Sequence, residues 1–76
     1  TARLDRYATI GKDNSHLRLN LLIGRRSLTG ILWGGAERSR ELLGARLVDV
    51  VGILDINSWN GRESLQLVLD DFRVVD

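Results

Sequence analysis

One segment of the sequence constrains the fold more than any other: the run HLRLNLLI at residues 16–23. Leucine or isoleucine occupies every odd position from 17 to 23, whereas His16, Arg18 and Asn20 occupy the first even positions. Because side chains alternate between the two faces of a strand, this pattern is typical of a strand with one buried face. A chain of 76 residues is too short for two full sheets. We therefore expect a single sheet that curls on itself to bury its apolar face.

Four other segments show strand-like periodicity, and one short segment is helix-like. We expect strands at residues 2–10, 16–23, 27–33, 46–57 and 63–69, a helix at 36–43 and an exit segment at 72–75. Five short strands that close on themselves are the plan of the OB-fold, a Greek-key barrel. The prediction is an all-β fold: a five-stranded OB-fold barrel with one short helix between strands 3 and 4, forming a single domain over residues 1–76. An SH3-like barrel is the second choice, since it does not normally insert a helix at this point.

The third and fourth strands each carry an irregularity. In the third, Leu28 and Leu32 lie on one face and Ile31 and Trp33 on the other, so the pattern does not identify the buried face; we expect Trp33 in the core. In the fourth, Gly52 interrupts an apolar face. A glycine inside a strand indicates a bulge or a sharp bend, as small barrels need at their corners.

The composition excludes several classes of site. The chain has no Cys and one His, so neither a disulfide, a thiolate metal site nor a multi-histidine metal site can form. Asp49 and Asp55 share a strand face but are about 20 Å apart, and the side chains of Asp70 and Asp71 diverge. No phosphate-binding Gly-rich loop with Lys is present. We expect no catalytic residue and no bound metal in this chain. It also lacks Met, even at position 1, and we expect it to be a fragment of a longer protein.

A binding module fits the polar residues better. Ten of the eleven basic residues are Arg, which forms bidentate contacts with phosphate and stacks on bases. The net charge of +1 argues against a strong nonspecific nucleic-acid binder but permits one basic face. Single-stranded nucleic acid is held by cationic groups for phosphates and aromatic faces for bases. The candidate binding residues are Arg18, Asn20, Arg25, Arg26, Asn57, Trp59, Arg62 and Gln66.

The hairpin DINSWNGRESLQL, residues 55–67, contributes four of these candidates. Asn60 and Gly61 supply the positive φ angles of a tight two-residue turn. Trp59 stacks on a base in one interpretation and caps the end of the barrel in the other. Arg18 and Asn20 form part of a binding surface or simply a solvated face. The residues alone leave both pairs of interpretations open.

Three stretches resemble the C-terminal OB domain of the bacterial single-strand-specific exonuclease RecJ: HLRLNLLI, LTGILWGGAER and VDVVGILDINSWNGRESLQLVLDDF. The resemblance covers about residues 16–72. It implies a parent enzyme that digests single-stranded DNA from the 5′ end in recombination and repair, in the cytoplasm, with a divalent metal (Mg or Mn) bound by a catalytic core absent from this chain. It also implies that this domain packs on that core and helps to hold the DNA strand. In the alternative hypothesis the domain only positions the core, through Val51, Ile53 and Phe72, without contacting DNA.

Overall fold

The computed structural model describes residues 1–76, apart from the side chains of Asn57 and Trp59. The strands are β1 (Ala2–Ile10), β2 (His16–Ile23), β3 (Arg26–Leu32), β4 (Leu47–Trp59) and β5 (Arg62–Val74), and a 3₁₀ helix spans Ala36–Leu42. β1 and β2 have the bounds expected from their periodicity. The helix occupies the expected place but is 3₁₀ rather than α.

The five strands form a closed barrel in the order β1-β2-β3-β5-β4. β1 pairs antiparallel with both β2 and β4, which closes the sheet, and β3 pairs parallel with β5. The sequence-based prediction of a five-stranded OB-type barrel is therefore confirmed. The helix is too short and too polar to cross a membrane, and the described part of the chain contains no other helix.

The alternating leucines of β2 are among the most deeply buried residues of the core, to which β5 contributes Leu67, Leu69 and Phe72. Leu17, Leu19 and Leu21 are completely buried, as their spacing predicts. Leu42 of the 3₁₀ helix and Val48 of β4 join the same cluster, so the helix closes one end of the barrel. Fully burying a leucine side chain is worth about 1.5–3 kcal/mol, so these side chains dominate the stability of this small domain.

β5 is longer than its periodicity indicates. The expected strand ends at residue 69, but β5 continues to Val74 and places Phe72 in the core with 3% of its surface exposed. A register shift explains the difference: Leu69 pairs with Gly52 and Asp71 pairs with Val51, which leaves Asp70 as an extra residue. Before the shift the odd-numbered residues Leu67 and Leu69 point inward. After it the even-numbered residues do, and this is why Phe72 is buried. The expected exit segment is thus part of the barrel.

Gly52 lies at this register shift, which confirms the bulge predicted for its position. A Cβ atom on Gly52 would lie 2.2 Å from the carbonyl oxygen of Val68 and 2.9 Å from the Cα of Leu69. The backbones of β4 and β5 are thus closer together at Gly52 than they could be if this position carried a side chain. The bulge bends β4 and β5 together as they leave the barrel.

Beyond this point β4 and β5 continue as a two-stranded arm, which we define as residues 53–65. In the described backbone, β1 pairs with β4 only at Leu47 and Val48, and β3 pairs with β5 only over residues 66–68. The arm ends in a turn where Asn60 and Gly61 have φ angles of 51° and 75°. Two successive positive φ angles are those of the type I′ turn expected for an Asn-Gly pair.

Candidate nucleic-acid interface

The strand registers place several of the expected binding residues on one outward-facing surface. Directly paired residues on neighbouring strands project from the same face of a sheet. Asn20 pairs with Arg6 of β1 and with Thr29 of β3, and Thr29 pairs with Gln66 of β5. These four residues therefore form one row across four strands, and Asp55 of β4, which pairs with Gln66, extends the row by one residue.

A second row lies two residues, about 7 Å, further along the strands. Arg18 pairs with Ala8 and Ile31, and Ile31 pairs with Val68. Ile31 is 5% exposed, yet it lies outside the core cluster. It is buried on the outer side of the sheet and gives this surface an apolar centre. We call the surface the wall; its members are Arg3, Arg6, Ala8, Arg18, Asn20, Thr29, Ile31, Asp55, Gln66 and Val68.

A bulge in β1 brings two arginines onto the wall. The β1–β2 register shifts between Leu4 and Arg6, so that Arg3 pairs with Leu22 and Arg6 with Asn20. Strict alternation would place Arg3 and Arg6 on opposite faces, and this is why sequence reasoning missed them. The imperfect apolar pattern of β1 is the signal that marked an irregularity there.

The positive charges of the wall are not neutralised within the described part of the chain. None of the ion pairs between described side chains involves Arg3, Arg6 or Arg18. Arg18 and Arg6 are both exposed. Asp55, the acidic residue of the wall, is exposed and also forms no ion pair with a described side chain. With three arginines against one carboxylate, the wall carries a net positive charge even though the chain as a whole is nearly neutral.

Acidic residues are neutralised elsewhere on the barrel. Arg38 donates to Glu41 at 2.8 Å, forms an ion pair with Asp71, and stacks its guanidinium 4.1 Å from the centre of the Phe72 ring. The hydrogen bonds from Arg38 lower the pKa of both carboxyl groups.

The pKa of Asp49 is about 2, chiefly because Arg73 donates a hydrogen bond to it at 2.8 Å; the Thr1 hydroxyl donates a second bond. Three acidic residues, Glu41, Asp49 and Asp71, are thus paired with partners outside the wall. The arginines of the wall outnumber the carboxylate of Asp55, so the wall is a basic surface.

Asn20 holds an unsatisfied acceptor in the middle of the wall. Its Oδ1 atom is buried but has no hydrogen-bond partner among the described residues. A buried polar atom without a partner typically costs about 1–3 kcal/mol. Such an atom on a basic surface is well suited to accept a hydrogen bond from a ligand.

Trp33 lies on the surface, contrary to our expectation that it is in the core. Its side chain is 58% exposed. The β2–β3 register explains this: Leu17 pairs with Leu32 on the core side, so the next residue belongs to the outer side. The Trp33 ring packs edge-to-face on His16, with a centroid distance of 4.7 Å and an interplanar angle of 76°. An exposed aromatic ring therefore borders the wall, and sequence reasoning did not include it among the candidates.

The other candidates lie at the margins of the wall or off it. Arg25 is exposed in the β2–β3 turn, and Arg62 is exposed at the tip of the arm. Arg62 precedes Gln66 by four residues, about 13 Å, on the same face of β5. The side chains of Asn57 and Trp59 are outside the described part of the structure.

Arg26 is exposed but faces away from the wall. It begins β3 opposite Ile23, on the face that carries Leu28. There it lines a groove of about 430 Å³ whose other lining residues are Ile23, Ser27, Leu28, Leu54 and Leu65. The structure therefore separates Arg26 from Arg18, Asn20 and Gln66.

The family comparison agrees with the topology. A family model described as the RecJ OB domain matches residues 1–71. The chain belongs to the RecJ OB domain family. Searches of curated proteins and of solved structures found no match. The match extends over β1 as well as the segments that suggested the resemblance.

The wall of this RecJ OB domain coincides in part with the surface that OB-folds use for ligands. That surface is the face of strands 2 and 3 together with the loops between strands 1 and 2 and between strands 4 and 5. Arg18, Asn20 and Thr29 lie on this face, and Arg62 lies in the loop between β4 and β5. Among the described residues, no group of three or more His, Asp or Glu side chains is arranged to hold a metal ion.

Proposed function

We propose that this RecJ OB domain binds single-stranded DNA on the wall and holds the strand for a metal-dependent 5′-to-3′ exonuclease core located elsewhere in the parent protein. In this proposal the domain is itself non-catalytic and acts in cytoplasmic DNA repair and recombination. The observation that carries it is a set of three arginines that form no ion pair with a described side chain, Arg3, Arg6 and Arg18. They surround the Asn20 acceptor, which likewise has no partner among the described residues. Family membership supports it, because OB domains commonly bind nucleic acid.

Each part of the wall has a role suited to its chemistry. The guanidinium groups of Arg6 and Arg18 donate to phosphate oxygens, and their bidentate geometry favours phosphate over simple counterions. The amides of Asn20 and Gln66 donate to and accept from sugar and base edges. Val68 is partly exposed beside these polar groups and can contact a base face, whereas the neighbouring Ile31 is buried.

From the centre of the wall, the proposed path of the strand extends towards the end at which β3 and β5 begin, since these two strands run parallel. Arg25 lies at the β2–β3 turn, and Arg62 lies at the arm tip beyond Gln66. Asn57 and Trp59 remain proposed contacts at this tip, on the strength of the sequence pattern alone. Arg26 is the weakest member of the original set, because it lines the groove on the other face of β3.

A salt titration with a labelled oligonucleotide tests the proposal. For single strands, the logarithm of affinity falls by about 0.7 per logarithmic unit of salt for each phosphate neutralised. We expect Arg18→Ala to weaken binding and to reduce this slope by about 0.7, the share of one phosphate. Arg40→Ala is the matched control, because Arg40 is exposed on the 3₁₀ helix outside the wall.

Two outcomes contradict the proposal. The first is the absence of oligonucleotide binding by the intact domain at low salt. The second is an equal effect of Arg18→Ala and Arg40→Ala, which would show that binding depends on overall charge rather than on the wall.

A second function, docking on the catalytic core, is favoured by the arm. Ile53, Leu54, Ile56 and Leu65 are between 56% and 69% exposed. Leu54, Ile56 and Leu65 lie on the side of β4 and β5 that faces the core within the barrel. In the arm this side is not covered by other strands, so these apolar side chains are exposed. Val51 and Ile53 are exposed as the docking hypothesis requires, but Phe72 is buried and cannot take part.

The two functions respond differently to substitutions in the arm. In the parent protein, Leu54→Ser with Ile56→Ser should lower nuclease activity if the arm docks on the core. The same pair should leave the oligonucleotide affinity of the isolated domain unchanged. If activity of the parent is also unchanged, docking through this side of the arm is ruled out.

A further inference from the structure

We propose that Trp33 is a nucleobase-stacking platform at the edge of the wall and that His16 is its positioning residue. This inference rests on the proposed DNA binding and adds to it a base-binding position at the end of the wall opposite the arm. The ligand class is an unpaired nucleobase, whose flat face can stack on an indole ring whatever its sequence.

The location of Trp33 connects it with the wall. His16 precedes Arg18 by two residues and so lies on the same face of β2, about 7 Å away along the strand. The Trp33 ring contacts His16. A strand that places a phosphate at Arg18 thus passes an exposed indole at the next position along β2.

His16 holds both the ring and the backbone of Trp33. Its imidazole ring packs against the indole of Trp33. Its Nδ1 accepts a hydrogen bond of 2.9 Å from the backbone N–H of Gly34, the residue that follows Trp33. This bond requires an unprotonated Nδ1. One histidine therefore constrains the orientation of the indole and the path of the chain that carries it.

The backbone after Trp33 is constrained further. The N–H of Gly35 donates to the carbonyl of Leu32 at 3.1 Å, and the N–H of Ala36 donates to the carbonyl of Ser15 at 3.2 Å. The first bond closes the turn after β3, and the second ties this segment to the loop between β1 and β2. A ring that is held in place before binding loses less conformational entropy when a base stacks on it. This is how Trp33 differs from an apolar side chain that is merely exposed.

The decisive experiment compares a normal oligonucleotide with a backbone that lacks bases. The probes are a ten-residue oligothymidine and an abasic oligomer of equal length. We expect Trp33→Ala to weaken oligothymidine binding by roughly 5- to 140-fold, the range expected for loss of one stacked base. It should leave binding of the abasic oligomer and the salt slope unchanged, whereas Arg18→Ala should change both.

Controls separate stacking from folding. Trp33→Phe should retain most of the affinity, because it retains an aromatic face. Leu43→Ala is the matched control for loss of an exposed apolar side chain, since Leu43 is 84% exposed beyond the helix. In a Trp59→Phe background Trp33 is the sole tryptophan, so its fluorescence should change when oligothymidine binds and stay constant with the abasic oligomer.

The role of His16 has its own test. His16→Ala should weaken oligothymidine binding, and His16→Asn should restore part of it, because the Asn Oδ1 can accept the Gly34 N–H in place of Nδ1. The positioning role of His16 is refuted if both variants retain wild-type affinity.

The outcomes distinguish this inference from the proposed function. If the wild-type domain binds oligothymidine and Trp33→Ala binds it equally well, the stacking inference is wrong and the proposed function stands. If the wild-type domain binds neither oligomer at low salt, both are wrong.

Discussion

Gly52 provides the most direct test of the fold, because the space for a side chain at this position is occupied by backbone. We consider Gly52→Ala. The new Cβ would lie 2.2 Å from the carbonyl oxygen of Val68, whereas carbon–oxygen contacts between strands are normally about 3.3–3.6 Å. β4 and β5 would have to separate by about 1 Å, which lengthens neighbouring backbone hydrogen bonds beyond their useful range of about 3.2 Å.

The expected loss of stability can be worked out from these contacts. Loss of two or three ladder hydrogen bonds, at about 1 kcal/mol each, destabilises the domain by roughly 2–3 kcal/mol. The reduced flexibility of the unfolded chain offsets about 0.4–1 kcal/mol of this. The net effect is about 2 kcal/mol. For a domain of this size it lowers Tm by roughly 8–16 °C.

Thermal unfolding followed by circular dichroism measures this effect. Gly30→Ala is the control, since its Cβ would meet only the methyl and methine carbons of Leu69 at 3.3–3.4 Å and a methyl of Leu21 at 3.6 Å. These side chains can shift, so the change should be much smaller. If Gly52→Ala melts within about 2 °C of the wild type, or above Gly30→Ala, the close approach of β4 and β5 is incorrect.

Two other predictions concern pH and the wall. Because the pKa of Asp49 is about 2 in the folded domain against an ordinary value of 3.8, its contribution to stability is present above pH 4 and is lost as the pH falls towards 2. Asp49→Asn should flatten the dependence of unfolding free energy on pH in that window, as urea titrations at pH 5, 3.5 and 2 would show; an unchanged slope would contradict the Arg73–Asp49 pairing. Asn20→Leu, which replaces the unpaired acceptor by an apolar group of similar shape, should leave stability within about 0.5 kcal/mol of the wild type or raise it. The same variant should weaken oligonucleotide binding by roughly 2- to 12-fold, and a marked fall in Tm with unchanged affinity would give Asn20 a structural role instead.

Sequence patterns gave correct predictions where burial or backbone conformation is set by neighbouring residues in the chain. The β2 run predicts its own bounds and its three buried leucines, although Ile23, which has the same parity and ends the strand, is 45% exposed. Asn60-Gly61 predicts its turn type. Gly52 predicts its bulge, although nothing local indicates which backbone occupies the space of its missing Cβ. These features depend on residues next to one another in the chain.

Alternation failed at each register shift. The shift between Leu4 and Arg6 places Arg3 and Arg6 together on the wall, and the shift at Gly52 turns Phe72 inward. A bulge changes the phase of every later residue in its strand, and its exact position depends on the partner strand. A prediction from one strand alone cannot locate it.

The candidate site was predicted only in part, because its assembly also depends on the registers between strands. Arg18 and Asn20 share a face of β2 by periodicity, but their proximity to Gln66 exists only because β3 pairs parallel with β5. Trp33, expected in the core, is exposed, and Arg26, expected in the binding surface, faces away from the wall. The pattern of β3 is compatible with either face, and pairing with β2 decides between them.

The sequence by itself determined that this chain forms short, half-apolar strands, that they must close into one small barrel, and that it resembles a RecJ OB domain. Only the tertiary structure decided which polar residues share a surface, which aromatic residue is exposed and where the positive charge is left unpaired. The physical reason is that burial along one strand repeats every two residues and can be read locally. A surface across four strands depends on registers, which are set by contacts between residues far apart in the chain.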